Sequence, residues 1–168
     1  MSVQRPYGQW DSPVEADSYT QTSVQLSQLR VDETDTYWVE GNPRDNGRNT
    51  LLRADSMGQI SEVLPLIDGI RLPDVRTRVH EYGGRAYAVS DGFIVFSDGF
   101  DGRVYAFNTR DPRRQLVPLT PLGKVRYGDF EIADVRGLVY AVAEDHSNPG
   151  EPVNSLVAIP LDGRAARN

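Results

Sequence analysis

Phe93-Ile94-Val95-Phe96-Ser97 and Arg103-Val104-Tyr105-Ala106-Phe107, separated by Asp98-Gly99-Phe100-Asp101-Gly102, decide the fold. Two short apolar runs bounded by Asp-Gly are the signature of strands joined by a hairpin, because Asp-Gly tolerates the positive φ angles of tight turns. Arg85-Ala86-Tyr87-Ala88-Val89 before them and Gln115-Leu116-Val117-Pro118-Leu119 after them complete a unit of four strands. The same unit recurs on both sides. Upstream it reads Gln25-Leu26-Ser27-Gln28-Leu29-Arg30-Val31, Thr36-Tyr37-Trp38-Val39-Glu40, Thr50-Leu51-Leu52-Arg53-Ala54 and Ile60-Ser61-Glu62-Val63-Leu64. Downstream it reads Asp129-Phe130-Glu131-Ile132-Ala133, Leu138-Val139-Tyr140-Ala141-Val142 and Ser155-Leu156-Val157-Ala158-Ile159, then Asp162-Gly163, with no fourth strand following.

Third strands make convenient markers: Leu52 to Tyr105 is 53 residues and Tyr105 to Val157 is 52. A four-strand unit repeated at this period predicts an all-β chain, a partial β-propeller of about three four-stranded blades with the last incomplete. The expected organisation is an N-terminal arm over residues 1–22, then blades over 23–65, 66–121 and 122–168. A β-sandwich also uses many short strands, but it has no reason to repeat a unit near fifty residues. Propellers close with ~4 to 8 blades, so three imply either a piece of something longer or closure by association into a homo-oligomer. The aromatics inside strands, such as Tyr37, Tyr87, Phe96, Tyr105, Phe107 and Phe130, are expected in the core. Trp10, in the arm, is expected to anchor against another domain.

Composition narrows the function. The 168 residues carry a net charge of −6 and a pI near 4.9, which argues against a nucleic-acid binder needing a basic face. Zero Cys excludes disulfides, thiolate metal sites and a Cys nucleophile. No apolar run approaches the length of a membrane span, and no leader-like apolar segment opens the chain, so a cytoplasmic location without membrane partners is expected.

In a four-stranded blade the turns between strands two and three share a side with the crossings between blades. That sorting gathers the unusual polar segments on one face: residues 40–48, Asp98-Gly99-Phe100-Asp101 and residues 144–152 as turns, residues 67–84 and 121–128 as crossings. The candidate substrate-binding or domain-interface residues are Arg76, Arg78, His80, Glu81, Tyr82, Arg126, Glu144, Asp145 and His146. Their alternative role is a local hydrogen-bond network, with the arginines bridging to carboxylates of adjacent blades. A metal on Glu144, Asp145, His146 and His80 lacks ligand spacing, and Asp98–Asp101 lacks the spaced oxygens of a calcium loop, so no metal and no cofactor is expected. Gly-x-Ser-x-Gly is absent, as are phosphate-cradling glycine loops, so no catalytic residue is assigned.

Tyr7-Gly8-Gln9-Trp10-Asp11-Ser12-Pro13-Val14, Leu29-Arg30-Val31-Asp32 with Tyr37-Trp38-Val39-Glu40-Gly41, Arg76-Thr77-Arg78-Val79-His80-Glu81-Tyr82-Gly83-Gly84, Arg126-Tyr127-Gly128-Asp129, and Glu144-Asp145-His146 with Leu156-Val157-Ala158-Ile159 occur in one order. Together they resemble the N-terminal propeller of the prolyl oligopeptidase family of serine peptidases. The branch they look most like is the dipeptidyl aminopeptidase and acylaminoacyl-peptidase-like one. The resemblance implies a C-terminal α/β-hydrolase domain carrying a Ser-Asp-His triad. It also implies a propeller that shields the active site, limits substrates to short peptides and helps position their N-terminal end. No triad residue maps onto this chain. The competing function is a stand-alone propeller-type binding or scaffold module.

Overall fold

The computed structural model describes residues 6–8 and 24–162, so the rest of the arm, Trp10 included, lies outside the described residues. The chain is all-β, with three antiparallel sheets and no α-helix among the described residues. The first holds β1 (Gln25–Asp32), β2 (Asp35–Asn42), β3 (Arg48–Ala54) and β4 (Ile60–Glu62) in sequential order. The second holds β5 (Tyr87–Ser90), β6 (Phe93–Ser97), β7 (Val104–Asn108) and β8 (Val117–Pro118), again in order. In the third, β10 (Leu138–Asp145) lies between β9 (Val125–Ala133) and β11 (Val153–Pro160). Within each sheet every strand pairs with its predecessor in the chain, the arrangement expected of propeller-like blades.

Patterning explains the stacking. On β6 and β7 consecutive residues are buried, from Ile94 to Ser97 and from Val104 to Phe107. Successive strand residues face opposite ways, so a run buried throughout needs cover on both faces. The second sheet has that cover. Ile94, Phe96, Tyr105 and Phe107 pack with Tyr37, Val39 and Leu51 of the first sheet. Val95, Val104 and Ala106 pack with Phe130, Val139, Ala141, Val157 and Ile159 of the third. Each such fully buried Val, Leu, Ile or Phe side chain contributes roughly 1.5–3 kcal/mol relative to exposure. Phe96 and Tyr105, opposite each other across β6 and β7, also stack at 5.7 Å between centroids.

The two flanking sheets alternate instead, burying one face. On β10 Val139, Ala141 and Ala143 are buried while Tyr140 between them is exposed. Trp38 lies beside Leu26 and Leu29 on the outward side of the first sheet, and Leu156 is largely exposed on the third.

Near the first strand of each sheet, two bulges tie the layers together. Gln28 and Leu29 stand opposite Trp38 where the β1–β2 register shifts, with Gln28 at φ 57. Its side-chain Oε1 accepts the Ala86 amide at 2.6 Å, and its carbonyl accepts the Tyr87 hydroxyl at 2.7 Å. The β9–β10 register shifts at Asp129, which sits at φ 53. Its Oδ1 accepts the neighbouring amide, that of Arg85, at 3.2 Å, and its own amide donates to the Arg85 carbonyl at 2.9 Å. Two sheets thus clasp adjacent amides of the sheet between them.

Candidate functional site

The connection from the first sheet to the second is stitched to all three. Asp74 accepts the Asn49 amide, Val75 donates to the Asn49 carbonyl and Arg76 donates to the Ser97 carbonyl. Arg71 forks onto Asp98 at 3.0 and 2.7 Å and reaches Asp101 at 3.1 Å. Thr77 and Ser97 hydroxyls both donate to the Tyr127 carbonyl, at 2.6 and 2.7 Å. Side chains of residues 71–82 and their neighbours therefore meet the turns after β2, β6 and β10 on one side of the sheets.

Asp98 explains the Asp-Gly turn after β6. Its side chain is 0% exposed, and besides Arg71 it accepts the amides of Asp74, Phe100 and Asp101. Burial pushes its pKa up, but the Arg71 fork and the amides outweigh that and hold the carboxyl below its ordinary value. Asp101 accepts the Tyr105 hydroxyl at 2.7 Å, and burial together with this bond pushes the phenol up to about 12. The loop is a polar knot, as its reading as a turn rather than a calcium loop implies.

Six of the nine candidates converge around a second buried carboxylate. Glu144, 3% exposed at its side chain, ends β10. Its Oε2 accepts the His80 amide at 2.6 Å and lies 3.2 Å from His80 Nδ1. Its Oε1 meets His146 Nε2 at 2.5 Å and Arg126 at 3.4 Å. Arg126 also donates to the Arg78 carbonyl at 3.0 Å and to Glu81 at 2.6 Å. These are the chain's only two histidines, 66 residues apart, on the two oxygens of one carboxylate. Burial raises the Glu144 pKa, yet the His146 bond, the His80 amide and the charges of His146 and Arg126 bring it below the ordinary value.

The remaining candidates sit apart from that centre. Arg76 donates to the Gly47 carbonyl and lies 3.4 Å from Asp74, near the turn after β2. Asp145 turns to Ser147, whose side-chain and amide bonds lower its pKa. Tyr82 projects into solvent at 98% exposure.

The loop that carries Glu81 and Tyr82 is held in an uncommon conformation. His80 and Glu81 adopt φ of 55° and 61°, and Gly83 follows at 76°. Two non-glycine residues in this region cost about 1–3 kcal/mol each, offset here by the Glu144 and Arg126 anchors. A Cβ on Gly83 would lie 2.9 Å from the Thr77 carbonyl oxygen, whereas one on Gly58, at φ 77°, meets nothing within 4 Å. Gly83→Ala is therefore expected to lower stability by more than the about 1–2 kcal/mol that the left-handed backbone alone costs Gly58→Ala. Urea unfolding of the two variants separates the clash from the conformational cost.

Chemically the cluster is an ion-paired anchor. Glu81, Glu144 and His146 offer ligand atoms within 4.8 Å of one another, but Arg126 already supplies the positive charge between both carboxylates. Both imidazoles are engaged by Glu144, and among the described residues neither hydrogen-bonds a serine hydroxyl. Sequence reasoning named these residues but missed Arg71 and Asp74, and read Asp98 only as part of a turn. Only the Asp-Gly dipeptide pointed to Asp98, and its partners lie 24 and 27 residues away.

Neither a family model nor a curated protein matches the chain. Solved structures do. The fold is that of peptidase propeller domains: a puromycin hydrolase mutant complexed with PGG matches with a TM-score of 0.83 at 31% identity over 98% of this chain. Puromycin hydrolase itself gives 0.81 at 31% over 97%, and a puromycin-hydrolyzing peptidase of Mycobacterium tuberculosis gives 0.76 at 35% over 99%. The similarity puts the chain in the prolyl oligopeptidase family, to which puromycin hydrolase belongs. The chain spans only 26–27% of the length of those enzymes.

Proposed function

We propose that this chain is the N-terminal propeller portion of a prolyl oligopeptidase-type serine peptidase, its three sheets being blades of which the third is incomplete. In this reading its polar face gates the access of short peptides to a C-terminal α/β-hydrolase domain. The observation that carries it is the convergence on one side of three turns and the inter-sheet connection, fixed by Glu144 and Asp98, in a chain similar to about a quarter of a peptidase. The exposure of Glu81, 71% although it is held by Arg126, supports a reading in which it meets the N-terminal end of a peptide. Within the family, the segments quoted above favour the dipeptidyl aminopeptidase and acylaminoacyl-peptidase-like branch. No helix among the described residues is long and apolar enough to cross a membrane.

The test has a genetic and an enzymatic arm. The reading frame beyond the Asn168 codon is expected to encode a Gly-x-Ser-x-Gly elbow, and the complete polypeptide to cleave short peptides while sparing folded proteins. Puromycin, on which the neighbouring enzymes act, is a first small substrate to try. The 168-residue chain by itself is expected to cleave nothing. A stop codon after Asn168 together with a defined oligomer in light scattering would establish the stand-alone scaffold instead.

A further inference from the structure

We propose that Asn46-Gly47, in the turn after β2, is a site of spontaneous covalent modification, at which the side-chain amide leaves as ammonia and aspartate or isoaspartate forms, and that Arg76 sets its rate. The chemistry belongs to this chain alone and is independent of any hydrolase domain. Asparagine is a thermolabile side chain, and Asn46 is the only one in the sequence followed by Gly. It is exposed and left-handed at φ 50°, and among the described residues no hydrogen bond holds its side chain. Asn42 and Asn108 differ. Their Oδ1 atoms accept the amides of Arg44 and Arg110, and Pro and Thr follow them.

With no Cβ, Gly47 leaves the approach of its nitrogen to the preceding side chain open. The step begins when the Gly47 amide gives its proton to solvent base and the nitrogen attacks Asn46 Cγ. A C–N bond forms, the Cγ–Nδ2 bond breaks, ammonia leaves and a five-membered imide remains. Water then opens the imide, to aspartate at the side-chain carbonyl or to isoaspartate at the main-chain one. The native turn withholds the attacking nitrogen: the Gly47 amide donates to the Asn42 carbonyl at 3.1 Å. The Gly47 carbonyl accepts from Arg76, whose own amide is tied to the Ser97 carbonyl of β6. Reaction therefore waits for the turn to open locally, and the bond from Arg76 opposes that opening. Isoaspartate lengthens the backbone by one carbon ahead of Gly47, which carries its carbonyl off Arg76 and leaves a new carboxylate on the polar face.

The experiment incubates the 168-residue chain in mildly alkaline buffer, folded and in urea, and follows replacement of NH by O in the peptide spanning residues 45–48 by mass spectrometry. An isoaspartate-specific methyltransferase reads the isoaspartate share. Asn46 is expected to react before any other asparagine, and at least about tenfold more slowly in the folded chain than in urea. Arg76→Ala should speed the folded-state reaction by about tenfold, the worth of one charge-assisted bond, and leave the rate in urea unchanged. Arg76→Lys, which keeps a donor, should fall between. In the unsubstituted chain, urea below the unfolding transition should raise hydrogen exchange of the Gly47 amide and the modification rate in parallel, a readout that needs no variant to fold. Equal rates folded and in urea, another asparagine reacting first, an unchanged rate in folded Arg76→Ala, or modification that does not follow Gly47 exchange would overturn the proposal.

Discussion

Asp98→Ala is expected to cost about 3–5 kcal/mol of folding stability, the largest effect of any single substitution on this face. The loss has two parts. Arg71, about a third exposed, would keep only Asp101 as a carboxylate partner, and the amides of Asp74, Phe100 and Asp101 would lose an acceptor in a site that admits no water to a side chain 0% exposed. Asp98→Asn should fall between, since it keeps one acceptor oxygen and the shape. Urea unfolding followed by circular dichroism reads the change, and a difference below about 1 kcal/mol would show that solvent replaces the carboxylate there. The pH dependence has a fixed sign. Because the folded-state pKa of Asp98 is depressed, its contribution is complete above the unfolded value near about 4 and is lost as pH falls through the folded value. Asp98→Ala should therefore flatten the acid limb of stability against pH.

Glu144→Ala is expected to cost about 2–3 kcal/mol and to act more locally. Removing the carboxylate frees the His80 amide and ring, the His146 ring and one contact of Arg126, so the left-handed pair His80-Glu81 loses what offsets its strain. Hydrogen exchange at residues 80–83 should accelerate well beyond the global change, while the amides of β6 and β7 follow global stability alone. Unchanged protection of the His80 amide would show that Arg126 suffices to hold the loop. Glu144 too is depressed when folded, so its contribution is complete above about 4.5 and disappears as pH falls through the folded value. Glu144 and Asp98 share no hydrogen-bond partner, and the double variant should be additive within about 0.5 kcal/mol.

The strands were legible because burial on a sheet imposes a period of two. Phe93-Ile94-Val95-Phe96, apolar throughout, belongs to the sheet covered on both faces, and Leu138-Val139-Tyr140-Ala141 to one covered on a single face. Edges were less legible. β5 starts at Tyr87 rather than Arg85, because Arg85 and Ala86 give their amides to the side chains of Asp129 and Gln28 instead of to a ladder carbonyl. The Glu144 cluster could be anticipated as a grouping of loops, since turn and crossing positions follow from strand order. That one carboxylate would take both histidines could not, because the pairing joins residues 64 apart through side-chain reach rather than through any local pattern. The bulges at Gln28 and Asp129 left no mark either: neither position carries the glycine that usually signals a left-handed residue.

Those two bulges give the molecule its hub. Since adjacent amides of Arg85 and Ala86 are bound from opposite flanks, the spacing of the layers at that end is set by directed bonds of fixed length, whereas toward the far strands side-chain volume sets it together with longer-reaching bonds such as that of Arg114 to the Val63 carbonyl. Swelling or shrinking the apolar filling should consequently splay or narrow the fan about an unmoved pivot, and any motion that widens the rim would leave the neighbourhood of Arg85 and Ala86 in place.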